Sequence, residues 1–274
     1  MLDSHVPISS DPLSTDTLLE TAVTAGRAAG ALLLNYTAAG FHVEYKNPIN
    51  LVTDADHAAE QCVIDHIRSR FPSHRFLAEE RGRVDEAPSP YLWIIDPLDG
   101  TTNFAHGYPA YCVSIGLEYQ GKCLLGVIYD PSRDELFTAI DQRGAHLNGR
   151  RIRVSDTTDL GNSLLVTGFA YDIRETPRNN LDHFCSFALK AQGLRRTGSA
   201  ALDLCYVAAG RFDGFWEVRL NPWDMAAGAV IVQEAGGRLT NFSGKDLSIY
   251  EQELVASNGP IHEAMLSVLQ QAPP

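Results

Sequence analysis

Between Arg75 and Ile140 the sequence reads as a succession of short strand-like stretches: Arg75–Ala78, Tyr91–Ile95, Tyr111–Tyr119, Cys123–Tyr129 and Leu136–Ile140. The Gln120-Gly121 step between two of them is a hairpin signal, so at least part of the resulting sheet is antiparallel. Two helices precede this block. The first runs from about Thr15 to Asn35, with Leu18, Ala22, Ala25, Ala29, Leu32 and Leu33 on one side; the second spans about Asp54 to Phe71, with Ala59, Cys62, Val63, His66 and Ile67 at helical spacing. From about Val154 the texture changes. A strand at Ser163–Thr167, a helix near Pro177–Gln192, a small-residue helix at Ser199–Ala209 and a strand at Gly214–Val218 follow. A helix at Met225–Ala235 then stops at the Gly236-Gly237 pair, and a strand around Leu254 and a helix at Ile261–Leu269 close the chain. Blocks of strands and helices, without strict β-α-β-α alternation, predict a layered α/β architecture. We expect two halves, about 1–153 and 154–274, packed as a single domain.

Charge narrows the function classes. The net charge is −12, and no basic run exceeds the pairs Arg150-Arg151 and Arg195-Arg196. A nucleic acid or an acidic membrane surface would want a basic face, so neither is an expected partner. The longest apolar run, Ala28 to Leu34, is far too short to span a bilayer. The N-terminal stretch MLDSHVPISSDPL has neither a basic start nor an apolar core, so it does not read as a signal peptide. The five cysteines are scattered and form no Cys-x-x-Cys, which fits small core residues in a reducing, cytoplasmic compartment better than disulfides or zinc.

There is no GxxxxGK[ST], GxGxxG, HExxH or GxSxG motif, and the nine histidines lack ligand spacing. What remains is carboxylate chemistry. In WIIDPLDGTTNF (Trp93–Phe104) an apolar strand delivers the chain into Asp96, with Asp99 three residues later. Asp-Pro and Asp-Gly are turn dipeptides, but Asp-Pro-Leu-Asp at a strand end also aims two carboxylates and the Leu98 carbonyl into one volume, an oxygen set that suits Mg²⁺. Gly100-Thr101-Thr102 then opens a helical turn whose N–H groups suit an anion. Thr53-x-x-Asp56 reads as a capping box with Asp in place of Glu, Glu79-Glu80 as a pair of acids after a strand, and Asp224 as an N-cap. Each acid has a local explanation. Four acidic clusters at strand ends and helix starts, where ligand sites form, favour function.

These residues carry a resemblance. WIIDPLDGTTNF, with LVTDAD (Leu51–Asp56), LAEE (Leu77–Glu80) and PWDMAAGAVIVQEAGG (Pro222–Gly237), resembles the inositol monophosphatase family in both wording and order, from about Lys46 to Asn258. The resemblance implies an α-β-α-β-α sandwich shared with fructose-1,6-bisphosphatase, a homodimer, two or three Mg²⁺ per active site and inhibition by Li⁺. It implies metal binding by Glu79, Asp96, the Leu98 carbonyl, Asp99 and Asp224, and phosphate binding by the amides of Gly100 and Thr101. A metal-activated water oriented by Thr101 and Asp56 would attack in line, with no covalent intermediate, and Glu79 would serve catalysis as well as metal binding. Substrate hydroxyls would meet Asp99, Gly198-Ser199-Ala200 and Glu217. Asn50 and Ala78 depart from the family pattern, but neither is an implied ligand.

The reading DGTTNF leans toward inositol phosphates, myo-inositol 1-phosphate above all. Histidinol phosphate, galactose 1-phosphate, fructose 1,6-bisphosphate and 3′-phosphoadenosine phosphate stay open as substrates, as does an inactive cation-binding regulatory subunit. The polar segment 172–182 (DIRETPRNNLD) reads as solvated surface rather than as a substrate-facing loop.

Overall fold

The computed structural model describes residues 14–47, 50–84 and 88–271; the N-terminal stretch MLDSHVPISSDPL lies outside them. In chain order the elements are α1 (Thr15–Ala39), β1 (Val43–Asn47), β2 (Asn50–Thr53), α2 (Asp54–Arg70), β3 (Arg75–Ala78), β4 (Gly82–Val84) and β5 (Tyr91–Asp99). Then come α3 (Thr101–Ala105), β6 (Cys112–Tyr119), β7 (Lys122–Asp130), β8 (Glu135–Ile140), β9 (Gly144–Leu147) and β10 (Arg150–Arg151). The second half holds β11 (Leu164–Thr167), α4 (Leu181–Ala188), β12 (Gly193–Arg195), α5 (Ala200–Ala208), β13 (Gly214–Val218), α6 (Pro222–Glu234), β14 (Arg238–Thr240), β15 (Glu253–Ser257) and α7 (His262–Leu269).

The strands form a β1-β2 hairpin, an eight-stranded sheet in the order β10-β9-β8-β7-β6-β5-β3-β4, and a five-stranded sheet in the order β12-β11-β13-β15-β14. Three apolar cores separate five layers. One lies between α1, α2 and the outer face of the large sheet, the second between the two sheets around α5 and α6, and the third between the small sheet and α4 with α7. This is the α-β-α-β-α sandwich. The middle core draws Leu92, Ile94, Ile128 and Phe137 from the first half together with Leu204, Phe215 and Ile231 from the second.

Small residues set the closest approaches. The α6 segment from Met225 to Val232 is buried on all sides, as befits a helix without a polar face. It sits over Gly116 and Gly126, which are cross-strand partners on β6 and β7. A Cβ on Gly126 would lie 2.3 Å from the Ala227 carbonyl oxygen, and one on Gly116 would lie 2.8 Å from the Ala226 Cβ. The paired glycines therefore seat the helix directly against the sheet, and α6 carries Asp224.

Several local signals hold. Ser14 caps α1, Thr53 caps α2 in a complete capping box, and the β6–β7 turn places both Gln120 and Gly121 at positive φ, as a two-residue hairpin turn requires. Others need correction. β5 does not stop at Ile95 but continues to Asp99, because a bulge sets three residues of β5 against two of β6 and accommodates Pro97, which has no N–H for the ladder. The helix expected near Pro177–Gln192 is confined to Leu181–Ala188. Asp224 is not an N-cap: Asn221 takes that position, Pro222 follows it, and Asp224 closes the capping box three residues in. Of the cysteines, only Cys112 and Cys205 are fully buried; Cys185 is exposed. No helix among the described residues is long and apolar enough to cross a membrane.

Candidate active site

β3 and β5 run parallel, so their C-terminal ends open at the same edge of the large sheet. β3 delivers Glu79, whose N–H donates to the Ile95 carbonyl (3.2 Å), and β5 delivers Asp96, Leu98 and Asp99. Gly100 then turns the chain at φ 98°, and a Cβ there would meet the Ala110 carbonyl oxygen at 2.8 Å, so only glycine fits. Helix α3 starts at Thr101. From the second half, the N-terminus of α5 brings Gly198, Ser199 and Ala200, β13 brings Glu217, and α6 brings Asp224. All of these line one cavity. Asp56 stands behind it, linked through Thr101.

The Asp56 carboxylate is shared between two tasks. One oxygen accepts from the Thr53 N–H (2.7 Å) and the Thr53 hydroxyl (2.6 Å), completing the α2 cap; the other lies 3.1 Å from the Thr101 hydroxyl. That hydroxyl also lies 3.0 Å from the Leu98 carbonyl, so its single proton has two acceptors in range and its lone pairs are left to face a water. Burial raises the Asp56 pKa, and the Thr53 hydrogen bonds oppose the shift.

Asp99 is held across the two halves. One of its carboxylate oxygens accepts from the Ser199 hydroxyl and from the Ala201 N–H, each at 2.7 Å. The Ser199 side chain is thereby engaged with Asp99, in addition to capping α5. Asn103 ties α3 to the same region, donating to the carbonyls of Ala110 (2.7 Å) and Thr197 (2.9 Å).

The electrostatics are those of crowded buried acids. Asp96, 2% exposed, has its pKa pushed well above the ordinary carboxylate range by burial and then by Glu79, Asp99 and Asp224. Burial also raises Asp99, against the pull of Ser199 and Ala201. Asp224 is pushed up to about 8, by burial first and Asp99 next, although Asn221 donates to it from its backbone. Glu217 rises to about 8 through burial and the neighbouring Asp203, opposed by Arg196. Among the described residues no three His, Cys, Asp or Glu side chains already converge as a finished metal shell; the carboxylates line the cavity as separate posts. The donor set nevertheless fits a hard cation. It is all oxygen, and its mutual repulsion is what a divalent charge relieves.

Five residues of the site were not read from the sequence. Glu60, one turn after Asp56 on α2, accepts from the Glu80 N–H (2.9 Å) and pairs with Arg81 (3.2 Å), fixing the turn that carries Glu79. Asp203 is buried on α5 beside Glu217 and accepts from the Thr197 hydroxyl; a lone acid inside the apolar run AALDLCYVAA was the available signal. Arg196, Tyr171 and Arg219 line the cavity from loops, where no periodicity marks them. The loop after β11 contributes Phe169, Ala170 and Tyr171 to the cavity wall, whereas no residue of 172–182, the stretch expected to be solvated, lines it.

The chain is similar to known proteins over nearly its whole length. The sequence model of the inositol monophosphatase family matches residues 14–273. The chain is 47% identical to an inositol-1-monophosphatase of Synechocystis sp. over 100% of its own length and 95% of the relative's. It is 44% identical to the Nus factor SuhB of Pseudomonas aeruginosa, with 92% and 96% covered. Its fold matches an inositol monophosphatase from Anabaena (Nostoc) sp. PCC 7120 with a TM-score of 0.86 at 49% identity, covering 94% of this chain and 97% of that one. A 25% identical IMPase/NADP phosphatase solved with Mg²⁺ and phosphate superposes with a TM-score of 0.81 over 94% and 95% of the two chains. Motif order, layered fold and family match agree over nearly the whole described chain, which is therefore a phosphatase belonging to the inositol monophosphatase family.

Proposed function

We propose that this chain, acting as one phosphatase domain, hydrolyses a small phosphomonoester with the help of Mg²⁺, and that myo-inositol 1-phosphate is its preferred substrate. The observation that carries the reading is the convergence of Glu79, Asp96, Leu98, Asp99 and Asp224, from both halves of the chain, on one cavity. These are the residues that would hold the cations. When bound, Mg²⁺ supplies positive charge against the phosphoryl oxygens and makes water a better nucleophile.

The chain's own groups do the rest. The Gly100 and Thr101 N–H groups receive the phosphate. The Thr101 hydroxyl, with its proton engaged by Asp56 or the Leu98 carbonyl, accepts a hydrogen bond from the attacking water and so points the water's other lone pair at phosphorus. Asp56 holds that hydroxyl in place. Glu79 lines the same cavity and takes up the water's proton, which passes to the alcohol oxygen as the ester P–O bond breaks. Glu217 and the backbone around Gly198 to Ala200 receive the ring hydroxyls of the alcohol. Inhibition by Li⁺, a homodimeric state and a cytoplasmic location belong to the same proposal.

The test is inorganic phosphate release from myo-inositol 1-phosphate, histidinol phosphate, galactose 1-phosphate, fructose 1,6-bisphosphate and 3′-phosphoadenosine phosphate, with Mg²⁺, with EDTA and with Li⁺, using Asp99→Asn beside the parent. Mg²⁺-dependent release that is strongest on the inositol ester and lost in the variant is expected. Greater turnover of another ester replaces the substrate. A folded protein that binds Mg²⁺ yet releases no phosphate overturns the enzyme reading in favour of a cation-binding regulatory role, the reading to which the 44% identity with a Nus factor gives weight.

A further inference from the structure

The segment between β11 and α4 closes on itself. Asn180, buried and at φ 69°, donates to the Thr167 hydroxyl (2.9 Å) and the Gly168 carbonyl (2.8 Å), and accepts from the Trp216 indole N–H (2.8 Å). Residues 169–179 thus form a loop whose two ends meet, braced inside by turns from Ala170 to Ile173 and from Asp172 to Thr176. Its first residues, Phe169 to Tyr171, form a wall of the cavity. Tyr171 is 44% exposed and lines the same cavity as Glu79, Asp96, Asp99 and Asp224; burial, and after it these acids, raise its pKa.

Two ion pairs hold this strap down. Arg178 pairs with Glu253 of β15, and Arg219 pairs with Asp172, next to Tyr171. Arg219 belongs to the short link between Glu217 and Asp224, and it adopts φ 64°, a left-handed backbone that costs a residue with a Cβ free energy. The Asp172 oxygen that faces away from Arg219 is buried without a hydrogen-bond partner among the described residues. Without Arg219 this carboxylate would lose its ion partner, and the strap would lose its tie to the link before α6.

We propose that Arg219 is a positioning residue. Through Asp172 it holds the 169–179 strap so that Phe169 and Tyr171 stand as the aromatic wall against the carbon skeleton of a hydroxylated ring, in the cavity that also holds the hydroxyl acceptor Glu217. This deepens the phosphatase reading and rests on it. The pin acts on substrate binding more than on the chemical step, because neither Arg219 nor Asp172 is among the groups assigned to the cations, the attacking water or the phosphate.

The test uses the full chain and its Arg219→Gly, Asp172→Ala, doubly substituted and Arg219→Lys variants. Glycine relieves the left-handed strain, so the melting temperature of Arg219→Gly separates loss of the pin from loss of the fold. Two quantities are read: KM and kcat for myo-inositol 1-phosphate with Mg²⁺, and the rate of limited trypsin cleavage at the exposed Arg174 and Arg178. Each single variant is expected to raise KM by about three- to fivefold, the size an ion pair of this exposure can carry, with kcat moving by less than about twofold. Trypsin cleavage should quicken in both. The double variant should be no worse than either single one, and Arg219→Lys should lie closer to the parent. An active parent whose single variants keep its KM overturns the proposal, as does faster cleavage with KM unchanged. A parent that releases no phosphate overturns the phosphatase reading, and the substrate role of the pin with it.

Discussion

The Ser199 hydroxyl donates to an Asp99 carboxylate oxygen at 2.7 Å, although 100 residues separate them in the chain. The bond joins the cap of α5 to the bulged end of β5, so the aim of Asp99 depends on the second half of the chain. Partners that orient a ligating carboxylate typically govern metal affinity by about ten- to a hundredfold. Ser199→Ala is expected to weaken Mg²⁺ binding at the lower end of that range, since the Ala201 N–H still holds the same oxygen. Titration calorimetry with Mg²⁺ checks it, and affinity equal to the parent's would detach Ser199 from the cation site.

Asp56 and Thr101 are coupled but separable. Asp56→Ala removes both the α2 cap acceptor and the Thr101 partner, so it should cost about 1–2 kcal/mol of unfolding free energy as well as activity. Thr101→Val leaves the cap intact. It should cost about 1 kcal/mol or less while lowering phosphate release by about a hundredfold or more. Urea unfolding beside steady-state kinetics distinguishes the two; equal stability losses would mean the Asp56 cap contributes nothing.

Gly126→Ala would put a methyl carbon against the Ala227 carbonyl. Backbone cannot yield there without moving α6, so the loss should reach about 3 kcal/mol, the upper part of the overpacking range. Because α6 carries Asp224, Mg²⁺ affinity should fall with it. A variant that melts like the parent would show that α6 is not seated on the glycine pair.

The buried acids give the metal-free protein a pH signature. Glu217 and Asp224 have folded pKa values raised to about 8, against 4.5 and 3.8 for the ordinary side chains. A raised folded pKa stabilises below the unfolded value, and the contribution is lost as pH climbs through the folded one. His262, lowered to about 4 by burial and then Arg238, has the opposite slope, but only between about 4 and its ordinary 6.5. Above pH 6.5 the carboxylates act alone, so the melting temperature in EDTA should fall from pH 6.5 to 8. Glu217→Gln should flatten that fall, and Mg²⁺ should reduce it. A rise over the same interval in EDTA would contradict the buried-acid account.

The sequence showed what local chemistry decides and concealed what tertiary contact decides. The Thr53 capping box and the Gln120-Gly121 turn are set within a few residues, so their types and places could be read directly. β1, β2, β4, β9, β10, β12 and β14 are short and exist because a neighbouring strand completes their hydrogen bonds, which no single segment reveals. β5 was cut short at Ile95 because Asp-Pro reads as a turn when the bulge that absorbs Pro97 is unknown. The acids lining the cavity were legible through their motifs. Glu60 and Arg219 were not, because each pairs with a residue far along the chain; Arg196 and Tyr171 lie in loops without periodicity, and Asp203 joins the site only when α5 packs beside Glu217.

The meeting of Gly168 and Asn180 separates two tasks that most of the cavity combines. The carboxylates sit on strand ends and helix starts locked into the layered core, where a change of one residue disturbs the neighbours. The strap spans almost no distance between its own ends, so its length and contents can vary without asking the core to move. In such a design the loop behaves as an exchangeable cassette: replacing residues 169–179 should alter one wall of the cavity while leaving the carboxylates where the layered core holds them.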